Sequence, residues 1–210
     1  MFTDSNKLLA LDLLESIKFF NQKNWSPATS TNYSVRSSDP REIIISRSGV
    51  DKSQFSVEDL ILIDLKGEVL PPFDGIGIKS SAETEIHTHI YTRYPKVNCV
   101  LHTHSVLGTV LSHTHVKEKQ LRFEGFEIQK GLDGNITHQL ESILPIVPNS
   151  QVMADILRSM DQHFTDQPKI HGFLIAGHGL YSWGKDVATA KRHIETYEFL
   201  FECYDKMRIL

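Results

Sequence analysis

Two histidines two residues apart, His102 and His104, end the apolar run Val100-Leu101-His102-Thr103-His104-Ser105. If that run is a buried strand, side chains alternate faces and both imidazoles project the same way. Neutral imidazole binds zinc and its neighbours well, and a catalytic zinc usually takes three protein ligands with a fourth position left for water or substrate. His-Thr-His also occurs at 87–89 and 113–115, so the spacing does not choose by itself. His87 and His89 fall in a predicted helix, where residues two apart diverge by about 200° around the axis. His113 and His115 precede Lys117-Glu118-Lys119 and read as solvated surface. The third ligand expected is His178, which follows the apolar segment Gly172-Phe173-Leu174-Ile175-Ala176 and is flanked by Gly177 and Gly179, residues that let backbone approach a ligand closely.

The elements that must hold these residues follow from periodicity. Leu8, Leu9, Leu11, Leu14, Ile17 and Phe20 fall at helical spacing and predict an opening helix from Asn6 to Gln22. Tyr33 to Arg36, Glu42 to Ser46 and Leu60 to Leu65 read as strands separated by turn residues, the punctuation of an antiparallel meander. A helix is expected from Glu83 to Tyr94, stopped by Pro95, then a strand from Val97 to Thr103 and a short helix from Ser105. Strands follow near Phe123 to Ile128 and Ile143 to Val147, a helix from Asn149 to Phe164, a strand from Ile170 to Ala176, and a long helix from Asp186 to Met207. No repeat or linker interrupts this pattern. It predicts one α/β or α+β domain over residues 1–210.

Composition narrows the class of partner. With 22 basic against 26 acidic residues and no long charge run, no stripe fits nucleic acid or an anionic membrane, so a small-molecule ligand is expected. The first residues lack the basic start and apolar core of a signal peptide, and no apolar run approaches the roughly 20 residues of a membrane span. Cys99 and Cys203 are too few for a disulfide framework and are expected as buried thiols in a reducing, cytoplasmic compartment.

Taken in order, Asn32 after a small-residue turn, Ser48-Gly49, Ser81-Ala82-Glu83, His102-Thr103-His104-Ser105 and Gly177-His178-Gly179 resemble the class II aldolase and adducin family over nearly the whole chain. The segments Trp25 to Arg36, Glu127 to Gly131 and Gly177 to Gly184 look most like its dehydratase branch, which removes water from a 5-methylthiopentulose 1-phosphate in methionine salvage. The resemblance implies an α/β fold around a mainly antiparallel central sheet, one zinc on His102, His104 and His178, and a homotetramer with sites near subunit boundaries. Aldolases of the family carry Ser-Ser-Glu where this chain has Ser81-Ala82-Glu83, and use that Glu as catalytic carboxylate. In the dehydratases the acid/base is a Glu of the segment matching Glu127-Ile128-Gln129-Lys130-Gly131. The resemblance therefore implies Glu127 as catalytic residue, removing the carbon 3 proton and protonating the departing carbon 4 hydroxyl while zinc polarises the ketone. Glu83 is left as a substrate contact or alternative catalyst.

Outside the family frame, Glu127 reads equally as a surface carboxylate on a half-exposed strand, and Glu83 as a first-turn helix acid favoured by the dipole. A phosphate needs backbone N–H donors and small hydroxyls, which Ser30, Asn32, Ser48, Gly49, Ser80 and Ser81 offer, with Lys130 adding charge. Trp25, Phe73, Tyr181 and Trp183 are candidates for a methylthio pocket, with core packing as the default. Competing readings are a sugar-phosphate aldolase or pentulose-phosphate epimerase with Glu83 as the essential carboxylate, and a non-catalytic scaffold domain of the adducin kind.

Overall fold

A computed structural model of the chain describes residues 2–75, 78–164 and 170–207. Among the described residues, five α-helices, α1 (Asp4–Gln22), α2 (Thr84–Arg93), α3 (Val106–Thr114), α4 (Met153–Phe164) and α5 (Val187–Met207), flank one sheet. Its eight strands are β1 (Tyr33–Arg36), β2 (Glu42–Ser46), β3 (Leu60–Asp64), β4 (Cys99–Thr103), β5 (Gln120–Phe123), β6 (Ser142–Val147), β7 (Gly172–Ile175) and β8 (Gly179–Gly184). They lie in the order β3-β2-β1-β4-β8-β7-β6-β5, and β6 with β7 is the parallel pair among antiparallel neighbours. The α/β class and mainly antiparallel sheet read from the sequence are what the chain adopts.

Both faces of the sheet are covered, which is why its strands read as continuous apolar runs. In β2, Ile44 packs with Leu13, Ile17 and Ile194 of α1 and α5, while Ile43 and Ile45 pack with Ile86, Ile90 and Met160 of α2 and α4. In β4, Leu101 faces the first layer and Val100 the second, so the strand period carries His102 to the α2/α4 side with Val100. Local capping sets the helix starts, one of them at the site. Thr3 accepts from the Asn6 N–H at the head of α1, and Ser105 accepts from the Gly108 N–H at 3.0 Å, turning the chain into α3 directly after His104.

Three expectations are corrected. The strand read near Phe123 to Ile128 stops at Phe123, because Gly125 turns the chain at φ +86° and residues Glu127–Gly131 form a 3₁₀ turn. That turn is tied down by the buried Gln129 amide, which donates to the Phe123 and Leu140 carbonyls and to Ser142 Oγ. Glu127 therefore stands on an exposed turn and not on a strand. Gly179–Gly184 is a further strand: its terminal glycines read as turn residues, yet it pairs with β4 and β7. Cys99 is buried as expected, whereas Cys203 is partly exposed.

Candidate metal centre and active site

The ends of β4 and β8 bring the three histidines together. His102 and Tyr181 are cross-strand partners, their rings stacked 3.9 Å apart, and His178 sits in the tight turn that leads from β7 into β8. One ligand atom from each of His102, His104 and His178 lies within 4.8 Å of the others, a separation that small side-chain rotations close onto the roughly 2.0–2.1 Å zinc–nitrogen distance. Gly179 makes this convergence sterically possible: a Cβ there would stand 2.2 Å from the Thr103 carbonyl oxygen and 2.8 Å from the His104 ring.

The donor set fits a metal ion. His102 donates from Nδ1 to the Leu180 carbonyl at 3.0 Å, which leaves the Nε2 lone pair facing the site, the outer-shell arrangement that orients a ligating imidazole. His104 Nε2 stands 2.7 Å from His102 Nε2. Burial, with the neighbouring histidines adding, holds His102 well below its ordinary range and pushes His104 down to about 4, so both are neutral and ready to ligate at pH 7. The three imidazoles form a candidate metal site of the open, catalytic kind, with no cysteine contributing.

Glu83 closes the fourth side. It precedes α2, and its carboxylate reaches His178 Nε2 at 3.2 Å and His102 Nε2 at 3.6 Å. Its Oε2 accepts from the Tyr181 hydroxyl at 2.8 Å and from the Asn32 amide at 2.5 Å. Burial alone would raise its pKa; the hydrogen bond from His178, the neighbouring His102 ring and the Tyr181 hydroxyl outweigh that and hold it well below the usual carboxylate range.

Two cavities meet at Glu83 and His104. The smaller, about 190 Å³, is lined by Ser30, Asn32, Arg47, Ser48, Gly49 and Ser81 among others. Arg47 there is held by Asp59 through two bonds of 2.6 and 2.9 Å. Thr31 next to Asn32 has φ +74°, a left-handed conformation uncommon for a β-branched residue and met most often at functional loops. The larger cavity, about 630 Å³, has Val106, Val110, Met153 and Ile156 as its apolar wall and Asn149 and Ser150 at its rim.

The sequence-derived residues divide accordingly. His102, His104, His178, Glu83, Ser30, Asn32, Ser48, Gly49 and Ser81 lie together. Ser80 instead bridges to Arg47 through backbone. Lys130 and Glu127 pair with each other, and Glu127 with His138 at 3.3 Å; neither lines the two cavities. Trp25 packs on Phe19 and Phe20 and Phe73 on Phe2, both partly buried, while Trp183 packs on Tyr94 in the core. Sequence reasoning missed Arg47, the His87 contact to Asn32 and the hydroxyl of Tyr181. Only the alternation of Leu180, Tyr181 and Ser182 between two glycines held a signal for the last.

A layered α/β domain with imidazoles converging at adjacent strand ends and a carboxylate beside them is the architecture of a class II aldolase-like domain, and the chain belongs to the class II aldolase and adducin family: residues 12–204 match the class II aldolase and adducin N-terminal domain. It is 48% identical over 187 residues to methylthioribulose-1-phosphate dehydratase of Picosynechococcus sp., covering 89% of this chain and 86% of that one. It is 43% identical over 204 residues to methylthioribulose-1-phosphate dehydratase of Pseudomonas syringae pv. syringae, with 97% of each chain covered. Among solved structures, L-fuculose-1-phosphate aldolase of Thermus thermophilus superposes with a TM-score of 0.75 at 21% identity, covering 97% of each chain, a likeness of fold.

Proposed function

We propose that the protein is a zinc-dependent hydro-lyase that converts 5-methylthioribulose 1-phosphate to 5-methylthio-2,3-dioxopentyl phosphate and water in methionine salvage. The observation that carries the lyase reading is the ionised Glu83 carboxylate set 3.2 Å from the His178 nitrogen at the junction of the two cavities; the substrate comes from the named relatives. His102, His104 and His178 hold the metal, which supplies Lewis acidity to the ketone and adjacent hydroxyl.

The polar cavity takes the phosphate, with the Ser30, Ser48 and Ser81 hydroxyls and the Arg47 guanidinium as donors. The methylthio end then lies along Val106, Val110, Met153 and Ile156. Carbon 3 falls between them, where Glu83 takes its proton; the carbon 4 hydroxyl departs as water once it is protonated, and the enol left behind tautomerises to the diketone. Glu127 keeps its part as proton donor to that hydroxyl only if a second copy of the chain presents it. Exposed Ile128, Ile136 and Leu140 on the surrounding segment, and exposed Val106, Val110 and Val152 around the pocket, support faces covered in a homotetramer.

The position of Glu83 favours one second reading, retro-aldol cleavage, because that chemistry uses the carboxylate of this segment. Incubating zinc-loaded protein with 13C-labelled 5-methylthioribulose 1-phosphate separates the two. The expected product has five carbons still joined, with water lost; a three-carbon ketose phosphate would replace the dehydratase reading with the aldolase one.

A further inference from the structure

Behind Glu83 runs a chain of buried hydrogen bonds that ends in the core. Asn32 donates from Nδ2 to Glu83 Oε2 at 2.5 Å, and its Oδ1 stands 2.5 Å from His87 Nε2. His87 Nδ1 lies 2.7 Å from Ser34 Oγ, which lies 2.8 Å from the Tyr91 hydroxyl. Asn32, Ser34, His87 and Tyr91 are all buried, His87 and Ser34 completely. The His87 ring also meets Tyr181 edge-on at 5.7 Å, so it touches the two residues that donate to Glu83 Oε2.

With the Asn32 Nδ2 on Glu83, the hydrogens along this chain have one order. Burial pushes His87 down to about 3, leaving a neutral ring with one donor and one acceptor nitrogen. The Tyr91 hydroxyl donates to Ser34, Ser34 donates to Nδ1, and the ring hydrogen is left on Nε2, facing Asn32 Oδ1. An asparagine amide offers nearly identical shapes in its two orientations. Reversed, it would turn Oδ1 toward the Glu83 carboxylate oxygen, and would set its N–H groups against the His87 N–H unless His87, Ser34 and Tyr91 all reversed their hydrogens with it. Nothing in Asn32 itself forbids the reversal.

We propose that His87 is a positioning residue of the active site: by donating to Asn32 Oδ1 it fixes which end of the amide faces Glu83, and so holds the carboxylate where the substrate proton is taken. The inference rests on Glu83 being the working base. His87 stays neutral and meets neither the metal nor the substrate; it acts through Asn32 and through the edge of Tyr181.

The test uses zinc-loaded full-length enzyme, with kcat, KM, bound zinc and Tm measured for H87F, H87Q, N32A, the H87F/N32A double variant and E83Q. H87F fills the volume without a donor, and should lower kcat about tenfold or more while KM and zinc content stay within about twofold. H87Q sets its amide nitrogen close to the place of Nε2 and should restore most of kcat. In the N32A background H87F should cost no further kcat, because its route to Glu83 is already cut. If H87F does not fold, H87N replaces it, since its shorter amide reaches Ser34 but not Asn32, and the same losses are expected. Additive losses in the double variant, or unchanged kcat in H87F beside an impaired E83Q, overturn the proposal. Unchanged kcat in E83Q would instead remove the assignment of Glu83 beneath it.

Discussion

Glu83 sits among groups that favour its charged form while remaining partly open to the cavities. Glu83→Gln keeps the shape and the amide contacts but removes the base, so turnover should fall about 10²- to 10⁴-fold with the fold and bound zinc retained, as measured by steady-state kinetics beside metal analysis. A second buried carboxyl has the opposite character. Glu198 of α5 lies beside Ser105 and Thr103, and burial, with Glu202 adding, raises it to about 8. An acid with a folded pKa above its unfolded 4.5 holds its proton more tightly in the native state. Its contribution is full below about pH 4.5 and declines until pH passes about 8. Glu198→Gln, which never ionises, should therefore lose less stability than the parent between pH 6 and 9, with the Tm gap widening by a few degrees. Parallel Tm curves would contradict this. At this scale the sequence was informative where residue type alone names the chemistry, as with His102, His104 and His178. It was silent where a residue acts through a partner distant in the chain, as with His87 and Asn32, 55 positions apart.

Among the elements, β4 and β8 matter most, because the register that pairs His102 with Tyr181 also sets the Leu180 carbonyl against His102 Nδ1. Gly179 lies in the same pairing, and Gly179→Ala drives a methyl against the Thr103 carbonyl oxygen, an atom of the backbone that cannot step aside. We expect a cost of about 1–3 kcal/mol or more, read as a Tm lowered by roughly 5 °C or beyond, together with weaker zinc binding. Gly49→Ala should cost less, since nothing lies within 4 Å of its added Cβ and only its φ of +76° opposes the change. Most elements were legible because buried apolar runs and helical spacing are strong signals: α1, β1, β2 and α5 lie where their patterns put them. The misreadings share one cause. Gly125 ended a strand that side-chain alternation seemed to extend, and the glycines around 179–184 disguised a strand that pairs on both edges.

For the molecule as a whole, assembly is testable because Glu127 does not line the cavities at Glu83 that its own chain forms. Glu83→Gln and Glu127→Gln proteins should each be inactive as pure oligomers. Co-assembled in equal amounts, they should regain activity at about a quarter of sites, since some junctions pair an intact Glu83 with an intact Glu127 from the neighbour. No recovery would confine the chemistry to one chain, and unchanged turnover in pure Glu127→Gln protein would remove Glu127 from it. Removing metal with a chelator should abolish turnover and lower Tm by several degrees, and added zinc should reverse both, because an ion bound to the native state stabilises it in proportion to its affinity. The placing of the ligands also has a consequence for biosynthesis. His102 and His104 leave the ribosome more than 70 residues before His178, and the β4–β8 pairing that unites them joins positions 77 to 85 apart. A nascent chain can thus complete β1, β2 and β4 while still unable to form the full metal centre, and capture of zinc becomes a late report that the whole sheet has closed.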